Sequence, residues 1–133
     1  MNQANTTIEQ HIQAVGANVA PRIRPEDVEA NIVSEHYFTG EQGALMGMPA
    51  EKFHNMQTLG VMPGDIPASL KLLTFCVLVL RNGFTVTGES ACASPENFNA
   101  DIVRRIAREN AVNKIWPLMG YELRSKLAQG GAA

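Results

Sequence analysis

Two apolar stretches separated by a short polar turn dominate the hydrophobic pattern of the chain. Residues 70–80 are apolar at consecutive positions, which is typical of a strand that is buried on both faces. Residues 84–91 alternate between apolar or small and polar positions, as a half-exposed strand does. The dipeptide Asn82-Gly83 between them favours a two-residue turn. The sequence therefore predicts an antiparallel β-hairpin in which Arg81 lies opposite Phe84.

This register divides the hairpin side chains between two faces. The face with the larger apolar share is expected to be core, and it consists of Phe75, Val77, Val79, Phe84, Val86, Gly88 and Ser90. The other face is half apolar, so we expect a helix or a second subunit to cover part of it. Cys76 and Cys92 fall on opposite faces, and the register therefore predicts two reduced thiols instead of a disulfide.

A strong helix is predicted after the hairpin. A turn at residues 94–97 precedes it, and Asn99 and Asp101 are suited to cap its first turn. On a helical wheel one broad apolar face contains Ile102, Val103, Ile106, Ala107 and Ala111, with Asn110 and Asn113 inside it. The opposite side carries Arg104, Arg105 and Arg108. Asn110 either ties the helix to the preceding loop or meets a polar ligand, because a buried amide needs a partner.

The remaining segments predict shorter elements. Thr6 or Thr7 caps a helix over residues 8–15, and Pro25 begins a second helix whose buried edge includes Val28 and Ile32. A strand is expected to start at residues 37–39. Residues 40–67, rich in Gly, Met and Pro, are typical of a long irregular connection containing one short helix at 49–56. Pro117 is expected to end the first C-terminal helix and start a second one.

These elements predict an α+β fold. A β-hairpin or small antiparallel sheet is packed by C-terminal helices, and the narrow apolar edge of the first N-terminal helix needs a partner surface, either in its own domain or, by oligomerisation, on a second subunit. Residues 1–133 are expected to form a single domain. It comprises an N-terminal helical segment (1–35), the irregular connection (40–67) and a core of hairpin plus helices (70–128).

The composition limits the classes of partner. The formal net charge of −2 argues against binding to a nucleic acid polymer, which favours basic domains. Seven of the eleven basic residues are arginines, whose planar guanidinium suits phosphate, although arginines that serve only solubility would give the same count. The longest apolar run, residues 72–80, is far shorter than the roughly 20 residues that span a bilayer. With no signal-peptide pattern at its start, the chain is expected to be soluble and intracellular, with no membrane partner.

No complete catalytic motif is present in the sequence. His11, His36 and His54 fall in separate segments without metal-ligand spacing, so no metal site and no cofactor are expected. Glu89 is a possible general base, but a single carboxylate on a strand is more often a surface group. What remains is a binding surface near the hairpin, where Phe84 offers either an aromatic face for a base or a core side chain.

Two motif-rich segments carry a family resemblance. LTFCVLVLRNGFTVTGESACASPENF and IARENAVNKIWPLMGYELRSKL, with APRIRPEDVEANIVSEHYFT upstream, resemble the gene-49/gene-66 family of tailed phages. That family is similar to the Thoeris anti-defence sponge proteins. This resemblance implies a protein that binds a cyclic ADP-ribose-type signal in the cytoplasm of the infected host and does not cleave it. It also implies a homo-oligomer (a dimer or a multiple of dimers) with nucleotide sites between subunits. The ligand-binding residues it implies are Arg22, Phe84, Asn97, Asn99, Arg104 and Arg108.

Three functions therefore stand as hypotheses. The first is the non-catalytic nucleotide sponge. The second is a phage accessory protein that binds a host or virion protein through its hairpin face. The third is a small nucleotide hydrolase with Glu89 as base. The Met- and Gly-rich segment at 40–67 departs from the sponge pattern and bears on which ligand is bound.

Overall fold

The computed structural model describes residues 7–59 and 66–130, which fold as an α+β protein. Its elements in chain order are α1 (Ile8–Ala14), α2 (Pro25–Ala30), β1 (Ile32–Thr39), α3 (Gly40–Met46), α4 (Ala50–Leu59), β2 (Leu73–Leu80), β3 (Thr85–Ala91) and α5 (Ala100–Gly130). Two short 3-10 helices, Ala68–Leu72 and Pro95–Asn97, flank the β2–β3 hairpin. The predicted α+β class is confirmed.

The chain forms two compact units, one made of residues 32–114 and the other of residues 1–31 and 115–133. The first unit contains the sheet, which is antiparallel with the strand order β1-β2-β3. The predicted central position of the apolar strand is confirmed, because β2 has a neighbour on both sides. Helix α5 contributes its first part to the sheet unit and its second part to the other unit.

The hairpin turn is longer by one residue than predicted. The Leu80 N–H donates to the Phe84 carbonyl at 2.8 Å, and the Gly83 N–H donates to the Leu80 carbonyl at 2.9 Å. Gly83 has φ +90°, the left-handed conformation that follows a type I turn in three-residue hairpin loops. Leu80, not Arg81, therefore lies opposite Phe84, and the predicted register is wrong by one residue.

The shifted register moves the opposite face of β2 into the core. The buried positions of the hairpin are Thr74, Cys76, Leu78, Leu80, Val86, Gly88 and Ser90. The prediction was correct for β3 but wrong for Phe75, Val77 and Val79, which lie on the other face and are half-buried. Phe84 is not core either, since 56% of it is exposed. A one-residue slip turns every side chain of a strand to the other face, and this accounts for the errors on β2.

Both cysteines are free thiols, as predicted, although the predicted reason is wrong. The Cys92 N–H donates to the Leu72 carbonyl at 2.9 Å, so Cys92 is aligned with a residue four positions before Cys76. Four strand residues span roughly 13 Å, whereas a disulfide needs Cα atoms within about 7 Å. Distance along the hairpin, and not opposite faces, keeps the thiols apart.

Helix α5 packs closely against β3 at Gly88. A β-carbon on Gly88 would collide with the Ala107 carbonyl oxygen and the Ala111 backbone nitrogen. The helix buries Val103, Ala107 and Ala111, while Ile102 and Ile106 are exposed, contrary to the predicted apolar face. Small side chains face the sheet because the helix backbone itself lies against it.

Asn110 ties α5 to the hairpin, as one of its two predicted roles requires. Its side-chain amide donates to the Glu89 carbonyl at 2.8 Å. Asn110 and Asn113 are both exposed, so the prediction that they lie inside a buried apolar face is wrong. The contact is made to β3 itself and not to the loop that follows it.

The C-terminal helix is continuous through Pro117, so the predicted break there is wrong. Proline removes one helical N–H and crowds the preceding turn, a cost that other contacts of a long helix can outweigh. Ile115, two residues earlier in the same turn, is fully buried.

The N-terminal elements match the sequence in part. Thr7 caps α1 through a capping box with Gln10, which confirms the predicted start. Helix α2 ends at Ala30, so Ile32 opens β1 instead of extending the buried edge of the helix. The predicted strand start at 37–39 is wrong, because β1 ends at Thr39.

Helices α3 and α4 occupy most of the stretch for which an irregular connection was predicted. The Thr39 side chain accepts a hydrogen bond from the Gln42 N–H, and the Gln42 side chain accepts one from the Thr39 N–H. This capping box starts α3 directly after β1. The short helix predicted at 49–56 corresponds to α4. Residues 60–65 of the predicted connection lie outside the described residues.

Candidate functional site

Two predicted ligand arginines lie beside β1 in the sheet unit. Arg108 donates through Nε to Glu35 Oε2 at 2.9 Å, and the side chains of this pair are 30% and 41% exposed. The Arg104 guanidinium lies over the Tyr37 ring, 5.8 Å from its centroid. Both arginines thus face β1, and of the two Arg104 is the one without a carboxylate partner in the described part of the chain.

Tyr37 connects these arginines to the core. Its hydroxyl donates to Glu35 Oε1 at 3.2 Å. Burial, together with the neighbouring Cys76 and Glu35, raises the pKa of Tyr37 to about 12. Burial likewise raises the pKa of the Cys76 thiol. Both groups are protonated at neutral pH, so this cluster is a structural network and holds no activated nucleophile.

Arg22 lies in the other unit and is already paired. Its two terminal nitrogens donate to the two carboxylate oxygens of Glu9 at 2.8 and 2.7 Å. The hydrogen bonds with Glu9 raise the pKa of Arg22, and the pKa of Glu9 is lowered by the same contact. Side-chain exposure is 18% for Arg22 and 28% for Glu9. This bidentate pair anchors the connector before α2 to helix α1, and an anion would have to displace Glu9.

Phe84 is held at the hairpin turn with its ring in solvent. Its N–H donates to Asn82 Oδ1 at 2.9 Å, which sets the backbone at the start of β3. The residue is 56% exposed. Of the two roles predicted for Phe84, the core role is excluded and the accessible aromatic face remains.

Asn97 and Asn99 lie together after β3. Asn97 is exposed and ends the 3-10 helix Pro95–Asn97, whose turn is closed by its N–H donating to the Ser94 carbonyl at 3.1 Å. Asn99 caps α5, because its Oδ1 accepts from the Ile102 N–H at 3.1 Å, which confirms the predicted cap. That bond uses the Asn99 carbonyl oxygen and leaves its amide nitrogen for another acceptor.

A groove that sequence reasoning missed lies next to Asn97. It has a volume of about 520 Å³, and its mainly apolar lining consists of Ala68, Ser69, Lys71, Leu72, Pro95 and Phe98. We call it the hairpin-end groove. The apolar residues Pro95 and Phe98 near Asn97 can be read from the sequence. That they lie opposite residues 68–72 depends on the hairpin register.

The predicted ligand residues do not all meet within one unit. Arg104 and Arg108 share α5, and Asn97 and Asn99 share the turn before it. Phe84 precedes the first residue of β3, whereas Asn97 follows its last residue. A seven-residue strand is roughly 23 Å long. Arg22 belongs to the other unit.

Catalytic and metal-binding groups are sparse in the described residues. Within residues 7–59 and 66–130, no three His, Cys, Asp or Glu side chains are grouped so that they could hold a metal ion. Glu89 is exposed, and its Oε1 accepts a long hydrogen bond from the Thr87 hydroxyl at 3.5 Å. This geometry supplies no partner that would make Glu89 a general base.

Comparisons with known proteins gave one match. The sequence model of the Phage protein (N4 Gp49/phage Sf6 gene 66) family matches residues 23–127. No curated protein and no solved structure matches the chain. Within the described residues, no helix has the length and apolar character needed to cross a membrane.

Proposed function

The chain belongs to the Phage protein (N4 Gp49/phage Sf6 gene 66) family, and we propose that it sequesters a cyclic nucleotide immune signal in the infected host. The proposed signal is of the cyclic ADP-ribose type, and it is bound without being cleaved. The protein thereby acts against host defence by lowering the free concentration of the signal.

The exposed ring of Phe84 is the observation that carries this proposal. A half-exposed aromatic side chain on a tight turn loses contact with water when a base stacks on it, and it adds nothing to the core. Stacking of a base on an aromatic side chain contributes about 1–3 kcal/mol. The turn is closed by backbone hydrogen bonds, so the ring is presented by a fixed support.

Arg104 is the arginine best suited to the phosphates of this ligand. Arg108 and Arg22 are each occupied by a glutamate, whereas Arg104 is held over the Tyr37 ring with its hydrogen-bond donors unpaired by any described carboxylate. The amide nitrogens of Asn97 and Asn99 supply further donors. We assign Arg108 a supporting role in the ligand site.

Two copies are needed to bring these groups together in this proposal. Phe84 and Asn97 are separated along one chain by the length of β3, which exceeds the reach of a single base and its phosphates. A homo-oligomer, as a dimer or a multiple of dimers, places Phe84 of one copy near the asparagines of another. Such a site encloses its ligand and suits sequestration.

Calorimetry with cyclic ADP-ribose isomers and cyclic oligonucleotides tests the proposal. Phe84→Ala and Arg104→Ala are expected to reduce affinity at least tenfold while leaving the circular dichroism melting curve unchanged. Arg105→Ala is the matched control, because Arg105 lies on the same helix and is 83% exposed. If none of these ligands binds at micromolar concentration, the proposal is contradicted. A ligand recovered in altered form by mass spectrometry would point to the hydrolase instead.

A second candidate function is binding of a host or virion protein. It is favoured by the valine face, which we define as Phe38, Phe75, Val77 and Val79 on the sheet. The Phe38 and Phe75 rings stack with centroids 5.4 Å apart, and the valines are half-buried. An apolar centre with Thr85 and Thr87 at its rim resembles a protein interface.

Capture from infected-cell lysate separates this candidate from the sponge. If the chain binds a host or virion protein, the natural chain should retain that protein in stoichiometric amount, and the Val77→Asp variant should not retain it. Retention of the same protein by the variant would contradict the role of the valine face. The sponge proposal expects ligand binding to survive this substitution.

A further inference from the structure

The hairpin-end groove is built between two short helices that flank the hairpin. The 3-10 helix Ala68–Leu72 leads into β2, and the 3-10 helix Pro95–Asn97 follows β3. The Cys92 N–H donates to the Leu72 carbonyl at 2.9 Å, and the Cys92 thiol donates to the Ser94 carbonyl at 3.1 Å. These bonds join one wall of the groove to the other. The distance between the two walls is therefore set by the last pair of the β ladder.

The groove offers an apolar surface of small-ligand size. Leu72 and Phe98 are half-buried, and Ala68 and Pro95 extend the apolar lining toward solvent. A volume of about 520 Å³ falls within the range of pockets that bind small molecules, roughly 300–1,000 Å³. The aromatic ring of Phe98 in this lining suits an aromatic partner.

Lys71 is the charged residue in the lining of the groove. Its Nζ is 3.8 Å from Glu41 Oε2, at the outer limit of an ion pair, and the Lys71 side chain is 64% exposed. Glu41 is the second residue of α3 and follows Gly40, where a β-carbon would lie 3.1 Å from the Leu70 carbonyl oxygen. Close packing therefore fixes Glu41 beside Lys71, but the pair itself is weak.

We propose that the hairpin-end groove binds a planar aromatic ring bearing a carboxylate or phosphate group. The ring packs between Leu72 and Phe98, and the anionic group pairs with Lys71 in competition with Glu41. The groove adjoins Asn97 and Asn99 of the proposed nucleotide site, but it uses neither Phe84 nor Arg104.

A matched pair of probes tests the role of charge. 2-Naphthoate and its neutral counterpart 2-naphthamide have the same ring, and their affinities are measured by NMR titration of the full chain. We expect the natural chain to bind naphthoate about fivefold to tenfold more tightly than the amide at low salt. Lys71→Ala is expected to abolish this preference, whereas Phe98→Ala weakens both probes.

Glu41→Gln supplies the sharper prediction. Removal of the competing carboxylate is expected to raise naphthoate affinity roughly twofold to fivefold and to leave the amide unchanged. Lys126→Ala is the control for Lys71→Ala, because Lys126 is 69% exposed and is paired with Glu122 at 3.3 Å, as Lys71 is with Glu41. Melting curves show whether each variant is folded.

Three results overturn the proposal. They are absence of binding by both probes, an unchanged preference for naphthoate in folded Lys71→Ala, and shifts confined to residues outside the groove. The proposed nucleotide function is judged separately by calorimetry with cyclic ADP-ribose, since Phe84→Ala leaves the groove intact. Failure of either site is thus distinguishable from failure of the other.

Discussion

Gly88 is the residue at which the sheet and the long helix approach most closely. Its missing side chain lets the backbone of α5 at Ala107 and Ala111 lie directly on β3. The alanines at these positions are fully buried, so the contact extends over one turn of the helix. A glycine inside a strand commonly marks such a close backbone approach.

Gly88→Ala is therefore expected to be severely destabilising. The new methyl group would meet backbone atoms of α5, which cannot move as a flexible side chain would, so we expect the free energy of unfolding to fall by more than about 3 kcal/mol. Urea denaturation measures the change. Gly120→Ala is the control: apart from its own stretch of helix backbone, no atom lies within 4 Å of its β-carbon position, and stability should rise by about 0.5–1 kcal/mol. Equal effects of the two substitutions would contradict the packing at Gly88.

Tyr37 makes the stability of the protein sensitive to alkaline pH. Its pKa is raised from 10.0 to about 12, chiefly by burial, so the unfolded chain loses the phenolic proton at a lower pH than the folded chain. The stabilisation is complete below pH 10 and is lost as the pH rises toward 12.

Comparison with Tyr37→Phe tests this pH dependence. Unfolding midpoints in urea are measured from pH 8 upward. We expect the natural chain to lose stability more steeply than Tyr37→Phe between pH 10 and 12, because the variant lacks the buried phenol at position 37. Parallel curves for the two proteins would show that Tyr37 does not cause the loss.

At the scale of elements, α5 and β3 are joined by packing and by one side-chain hydrogen bond. In an antiparallel hairpin, every second residue of a strand forms its backbone hydrogen bonds with the partner strand. Phe84 and Cys92 of this hairpin bond to Leu80 and Leu72. Glu89 lies at an odd number of residues from both, so its carbonyl points away from β2. Asn110 donates to that outward carbonyl. The helix thus satisfies part of an exposed strand edge, where unpaired backbone groups otherwise invite pairing with another chain.

Asn110→Ala is expected to lower the free energy of unfolding relative to Asn113→Ala by about 0.5–1.5 kcal/mol. Both substitutions bring the same gain in helix propensity, and only the first removes the bond to Glu89. Thermal or urea unfolding of the pair gives the difference. If the two variants are equally stable, the hydrogen bond contributes nothing measurable.

At the scale of the whole molecule, many positive charges are neutralised locally. Arg22, Arg105 and Arg108 are each paired with a glutamate, and the formal net charge is −2. Such a charge balance disfavours sequence-independent binding to nucleic acid, which depends on a basic surface.

We accordingly expect no binding to duplex DNA. Fluorescence anisotropy of a labelled 20-base-pair duplex, at low and at physiological salt, should show no complex at micromolar protein. Salt-sensitive micromolar binding would indicate a basic surface that the pairing of these arginines does not remove.

Part of the candidate site was predictable from local sequence. The caps at Thr7 and Asn99 were found because a capping side chain bonds to a backbone group within three residues. Phe84, Asn97 and Arg104 were named from motifs, but their environments were not foreseen. The hairpin-end groove was missed because its walls, 68–72 and 95–98, meet only when β2 and β3 pair.

Local sequence pattern was enough to predict the α+β class, the hairpin, the central strand and the helix cap at Asn99. Each depends on hydrophobic period or on contacts between near neighbours, which a single chain segment contains. Packing between distant segments sets the three-residue turn, the face of β2 that is buried, the continuity of α5 through Pro117 and the partners of the arginines. These depend on a one-residue choice of register and on the closeness of α5 to Gly88, since energies between distant segments outweigh local preference.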